Sequence, residues 1–219
     1  MLGAVLWASI EPVWQAAIAE AWAAYAAGTH AIGAVVTAPD GTIVARGRNR
    51  VRDVGAPAGQ IHGTRLAHAE VNALLMLPRD ADPADLTIWT TLEPCPLCVG
   101  AIAVAKVPRV HVAARDPLAG SSELVIANRF LLSRGVQFTG PVRHDVERVL
   151  TAIEVEFALR AGWATETHLG LLRAVFPGPV AAAEHAHATG WMWDLALTGA
   201  TVAEAVDAVA SDRLIAEGV

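Results

Sequence analysis

The chain has 219 residues, which suits one domain of ordinary size or one domain with a helical appendage, and is long enough to bury a real core. Apolar residues make up 54% and charged residues only 17%, so the surface is apolar enough to favour an oligomer, and a homodimer is expected. No stretch runs unbroken for the ~18 apolar residues a helical membrane span needs, and Met1 to Ile10 is short and lacks the basic start of a secretory signal; a cytosolic protein with no membrane partner is expected.

The net charge of −6 arises in residues 141–219, with 5 basic against 11 acidic, while residues 1–140 balance at 11 each. A nucleic-acid binder usually shows a basic face, so nucleic acid is the less expected partner.

In chain order, Trp7, Trp14, Ile18, Trp22 and Tyr25 recur at helical spacing, and the pattern predicts an amphipathic helix over Glu11–Ala27 that Gly28 stops. Ala31–Thr37 and Thr42–Arg48 flank the turn residues Ala38-Pro39-Asp40-Gly41 and predict a β-hairpin. Asp53–Gly63 is rich in Gly, Ala and Pro and reads as a loop. A helix is expected over Leu66–Leu77, ended by Pro78, then a strand over Leu86–Thr91, a helix over Pro96–Ala105 and a strand over Val107–Ala113. Helix Leu124–Ser133, strand Val136–Thr139 and helix Val142–Leu159 follow. Alternation at these lengths implies an α/β layer sandwich with helices on both sheet faces. After Gly162 the pattern changes to two or three helices, broken by Pro177-Gly178-Pro179 and Gly190, with the last over Thr201–Leu214. Residues 1–162 are expected to form the main domain and 163–219 a helical extension.

Two short segments carry chemistry. His68-Ala69-Glu70 places an acid two residues from a histidine, and Pro94-Cys95-Pro96-Leu97-Cys98 holds both cysteines of the chain. Cysteines three apart share a helix face, and a helix N-terminus favours their thiolates through its free N–H groups and dipole. His68, Cys95 and Cys98 make three ligands with one position open, the arrangement of a catalytic Zn2+ rather than a closed structural one. Glu70 is placed to handle protons. The bland alternative is a redox CxxC with an unrelated histidine.

This combination resembles the cytidine deaminase superfamily of zinc-dependent hydrolytic deaminases. The run Thr91 to Ile102, with Ala114-Arg115-Asp116 and Gly120-Ser121, is similar to the branch of tRNA adenosine deaminases and bacterial guanine deaminases, and the likeness spans roughly residues 10–160, including Gly33 to Val36 and Gly47-Arg48-Asn49. It implies a three-layer α/β/α cytidine-deaminase-like sandwich around a mixed sheet, Zn2+ as cofactor, and Asn49 as a hydrogen-bonding partner of the base, with the backbone N–H of Ala69 or Cys95 at its polar edge. Asn49 has a turn or cap role as its alternative.

The substrate is less constrained. Arg46, Arg48, Arg50 and Arg52 alternate, so an extended segment would put them on one face, either as a phosphate-binding row or as a solvated strand edge. Gln60, His62 and Arg65 lie in or just after the long loop and are available to line a pocket; for His62 the alternative is plain exposure. The resemblance implies that Trp191 or Trp193 stacks on a base where the extension closes over the site; the alternative is that they pack the extension onto the body or a partner. Together these features point to a hydrolytic deaminase of a small nucleobase, nucleoside or related amino-heterocycle, with tRNA adenosine deamination and a non-catalytic zinc-stabilised scaffold as the rivals.

Overall fold

The computed structural model describes residues 6–212 and 215. Five strands, β1 (Gly33–Thr37), β2 (Ile43–Arg48), β3 (Thr87–Thr90), β4 (Arg109–Val112) and β5 (Gln137–Thr139), form one sheet in the order β2-β1-β3-β4-β5. The β1–β2 and β1–β3 pairs are antiparallel, and β3–β4 and β4–β5 are parallel, so the sheet is mixed. The parallel β3–β4 pair needs a crossover, and α3 (Pro96–Ala105) supplies it.

Strand alternation divides the core between the two sheet faces. Ala34, Val36, Ile88 and Val110 point to one side, where they pack with Ala69 and Ala73 of α2 (Ala69–Leu75) and Ile102 and Ala103 of α3. Val35 points to the other, toward Trp14 and Ile18 of α1 (Pro12–Ala26) and Val149 and Ile153 of α6 (His144–Arg160). With both faces covered, every residue of β1 is buried. The architecture is therefore a three-layer α/β/α sandwich.

Two glycines let the outer layers approach. A Cβ on Gly33 would lie 2.2 Å from the carbonyl oxygen of Ala17 in α1, and one on Gly47 would lie 2.3 Å from the backbone nitrogen of Ala73 and 2.4 Å from the carbonyl oxygen of Ala69. Gly47 thus seats α2, with the His-Ala-Glu segment at its start, directly on the edge strand.

Several boundaries differ from the sequence pattern. Helix α2 begins at Ala69 instead of Leu66, because the preceding residues serve other bonds: Arg50 N–H donates to the carbonyl of Ala67, and Ala67 N–H to that of Thr64. The helix expected over Leu124–Ser133 is two, α4 (Leu124–Ala127) and α5 (Arg129–Arg134), since Asn128 is extended and its side chain caps the second by accepting from Phe130 and Leu131.

Among the described residues, the region after Gly162 holds four helices, α7 (Glu166–Val175), α8 (Pro177–Thr189), α9 (Trp191–Leu197) and α10 (Val202–Ala210). The breaks fall where expected: α7 ends just before Pro177, which takes the first position of α8 as a proline can, and Gly190 caps the end of α8. The last helix ends at Ala210, short of the expected Leu214, which lies outside the described residues, as do Met1–Val5 at the chain start. The extension shares the core of the body, for Ala182, Met192, Val206 and Val209 join the cluster of α1 and α6. Among the described residues no helix is long and apolar enough to cross a membrane.

Candidate metal centre and cavity

Two helix N-termini meet at the site. His68 is the N-cap of α2, with extended backbone, and Glu70 lies in the first turn. Cys95 is the N-cap of α3, Pro96 occupies its first turn, and Cys98 is buried one turn in. Cys95 Sγ lies 3.8 Å from Cys98 Sγ and 3.5 Å from His68 Nδ1, and Cys98 Sγ lies 3.4 Å from His68 Nδ1. A tetrahedral zinc with Zn–S of about 2.3 Å and Zn–N of about 2.0–2.1 Å would give S–S and S–N edges of about 3.8 and 3.6 Å. The triangle therefore fits zinc without rearrangement, and it is the one such cluster of His, Cys, Asp and Glu among the described residues.

The protonation of the trio agrees with that fit. The Cys95 thiol is pulled down to about 4, first by the hydrogen bond from Cys98 and further by His68, against its partial burial. Cys98 is pushed up by its bond to Cys95 and by burial, so the proton stays on Cys98. His68 is raised, chiefly by its bond to Cys95. The donors thus share protons that a dication would displace.

Glu70 is 4% exposed and stands against the triangle, its Oε2 3.2 Å from Cys98 Sγ and its Oε1 3.2 Å from the Thr90 hydroxyl. Burial raises its carboxyl pKa, the direction expected of a group that must both accept and return a proton.

His68, Glu70 and Cys95 line a cavity of about 580 Å3, within the range of small-molecule sites. Much of its wall is apolar, with Ile32, Val51, Leu92, Leu118, Val155 and Leu172. Asn49 also lines it and is 1% exposed; its Oδ1 accepts from the Thr29 hydroxyl at 2.7 Å and from Val51 N–H at 3.1 Å. Since the Val51 amide can only donate, the side-chain amide is oriented, and Nδ2 is left as a donor.

Not every expected residue is brought here. Ala69 is fully buried under the sheet and does not line the cavity. His62 is exposed in its loop, with Nδ1 3.4 Å from the carbonyl of Asp53, and Gln60 is bound to Arg50 and to the carbonyl of Arg46; of the three loop candidates only Arg65 reaches the cavity. Trp191 and Trp193 pack on the α1–α6 core instead, and the Arg160 guanidinium lies 3.6 Å from the Trp193 ring centre. The tryptophan at the cavity is Trp163.

The arginine row is dispersed as well. Arg48 and Arg50 both pair with Asp53, at 2.6 and 2.8 Å, and Arg52 stacks over Trp163 at 5.5 Å, leaving Arg46 exposed on the edge strand.

Some residues at the wall or bonded behind it carry no motif. Thr29 and His30 are the polar pair in the otherwise apolar stretch between Gly28 and Thr37, and that interruption was the available signal. Asn72 is buried and ties the long loop to β2, donating to the carbonyls of Arg48 and Ile61 and accepting from Ile61 N–H. Glu154 comes from α6, a hundred and more residues away in sequence from the other wall residues it meets.

Comparison with known proteins agrees with this geometry. Residues 8–114 match the family model described as the cytidine and deoxycytidylate deaminase zinc-binding region. The chain is 38% identical over 93 residues to a tRNA(Ile)-lysidine synthase of Deinococcus radiodurans, covering 41% of this chain and 15% of that protein. It is 37% identical over 97 residues to a tRNA-specific adenosine deaminase of Agrobacterium fabrum, 42% of this chain and 57% of the relative. It is 31% identical over 117 residues to a cytosine deaminase of Candida albicans, 52% of this chain and 72% of the relative. The chain thus spans a small part of the lysidine synthase and just over half of the adenosine deaminase. With the donor triangle, the adjacent buried glutamate and the cytosine deaminase matched over most of its length, this chain belongs to the cytidine deaminase superfamily.

Proposed function

We propose that the protein is a zinc-dependent hydrolytic deaminase that replaces an exocyclic amine by oxygen on a small nucleobase, nucleoside or related amino-heterocycle and releases ammonia. The observation that carries this reading is the His68, Cys95 and Cys98 triangle with the Glu70 carboxylate against it in the cavity wall. Zinc held there supplies Lewis acidity for hydrolysis near neutral pH.

The chain's own residues do the rest. The apolar wall excludes bulk water and accepts the faces of a heterocycle, and Asn49 Nδ2 donates to one of its acceptors. Glu70 takes a proton from the attacking water at a carboxylate oxygen, gives it to the ring nitrogen beside the reacting carbon, and passes a second to the departing amine, which leaves as ammonia. The pair of free thiols suits a reducing compartment, so we place the enzyme in the cytosol, acting as a homodimer. Residues 1–162 form its catalytic unit, and 163–219 complete the cavity wall through Trp163, His168 and Leu172.

The name of one relative, the tRNA-specific adenosine deaminase, favours a second reading, adenosine deamination in tRNA. Against it stands the dispersal of the arginine row, since two of its four charges are paired with Asp53. Ammonia release across guanine, adenine, cytosine, their nucleosides and pterins tests the first reading, and silence on every member with zinc bound overturns it in favour of a scaffold. Binding of a tRNA anticodon stem-loop that weakens steeply with salt would favour the second.

A further inference from the structure

The linker between α1 and β1 braces the cavity wall with three consecutive residues. The Thr29 hydroxyl fixes Asn49 at 2.7 Å, His30 Nδ1 meets Glu154 Oε1 at 2.5 Å, and Ala31 N–H donates to Glu154 Oε2 at 2.7 Å. The His30 ring also packs against Phe157 and Trp163, with both ring centres at 4.8 Å. Two ring contacts and one bonded nitrogen limit how this histidine can turn. Its Nδ1 is taken, so the nitrogen left for the cavity it lines is Nε2, which has no protein partner among the described residues.

Which way Nε2 works follows from Glu154. Its carboxylate accepts at both oxygens, so the proton of a neutral imidazole sits on Nδ1 and the lone pair on Nε2. One wall therefore offers a donor, Asn49 Nδ2, and an acceptor, His30 Nε2. The backbone joins the two supports, for Asn49 N–H donates to the carbonyl of Ile32, two residues beyond His30.

We propose that His30, oriented by Glu154, is a specificity-determining residue that accepts a ring N–H of the substrate while Asn49 donates to the adjacent carbonyl, which selects amino-heterocycles bearing a lactam, such as guanine. This rests on the deaminase reading and names the substrate class for the same cavity. Adenine and 2-aminopurine offer no lactam, and on them the His30 lone pair would face a second acceptor or nothing. A site built to pair with a polar group discriminates against an analogue lacking it, because its own buried groups are then left without partners.

The test uses the zinc-loaded full chain carrying Glu70→Gln, so that bound base is not consumed. Equilibrium dialysis at pH 8.5 compares guanine with 2-aminopurine, which differs only in lacking the lactam N–H and carbonyl. Guanine is expected to bind about tenfold tighter or more, the size of one to two hydrogen bonds. Adding His30→Ala should remove most of that factor through guanine alone. Adding Glu154→Gln should do the same with the ring intact: the glutamine oxygen keeps the Ala31 bond, its amide then donates to Nδ1, and the ring proton moves to Nε2, where it opposes the substrate N–H. Equal binding of the two bases, equal weakening of both by His30→Ala, a factor that His30→Ala leaves unchanged, or no binding of either base overturns the proposal. Ammonia release by the wild-type chain is read separately. Binding with the His30 dependence but without turnover sinks the deaminase reading alone, and turnover without the dependence sinks this inference alone.

Discussion

The metal triangle and the rest of the cavity wall are built in opposite ways. At the triangle, His68 with Glu70 and Cys95 with Cys98 come as two short runs, each at a helix N-terminus, and their spacing fixes most of their geometry. Elsewhere on the wall, His30, Asn49, Glu154 and Trp163 come from a linker, a strand end, a long helix and the start of the extension, and no pair of them forms a motif. Chemistry that needs ligand distances held to a few tenths of an ångström is encoded locally. Recognition, which differs between relatives sharing the chemistry, is spread over elements that only packing brings together.

If that division holds, damage at the triangle should lower turnover and damage elsewhere on the wall should alter affinity. The largest effect is expected for Glu70→Gln, where loss of the proton carrier should lower kcat by about 10^2- to 10^4-fold while metal analysis still finds zinc. A variant that loses zinc but keeps its activity would break the comparison at its stronger end.

The tryptophans sharpen it next. Trp163→Ala, which strips the cavity wall and the His30 stack, should raise KM about tenfold with kcat changed less than about threefold. Trp193→Ala should leave KM alone and instead lower stability by about 2 kcal/mol in denaturant unfolding, somewhat under the range for fully buried tryptophans because Trp193 is half-buried. The reverse pattern would restore Trp193 to the site.

Asn72→Ala tests the loop that precedes His68. Three hydrogen bonds to buried backbone are lost, so a cost of about 1–3 kcal/mol and faster proteolysis within residues 53–63 are expected. The smallest effect belongs to Arg46→Ala on the exposed edge strand, which should change stability by less than about 0.5 kcal/mol and leave the salt dependence of any RNA binding as it was. A marked loss of RNA affinity there would revive the phosphate-row reading.

Local pattern carried far in this chain. The helix over Pro96–Ala105 lies where the periodicity and the proline put it, and the hairpin turn follows from Pro-Asp-Gly. The pattern failed where a side chain or a tertiary bond overrode it. Asn128 looks like one more polar helical residue until its side chain is seen capping the helix that follows. Leu66 and Ala67 fit a helical stripe, but the backbone of Ala67 is spent on Arg50. Arg48 and Arg50 alternate as a strand face would, yet Asp53 lies close enough in the fold to take both.

The sequence by itself determined the metal donors, the acid beside them and the layered alternation of strands and helices, because each depends on spacings of one to four residues that helix and strand geometry convert directly into direction. Only the tertiary structure decided which tryptophan faces the cavity, that the extension shares the core of the body, and that His30 and Glu154 meet across 124 positions of chain. Those facts follow from how α6 crosses the sheet beside α1. A packing relation between distant segments leaves no periodic trace in the residues that it joins.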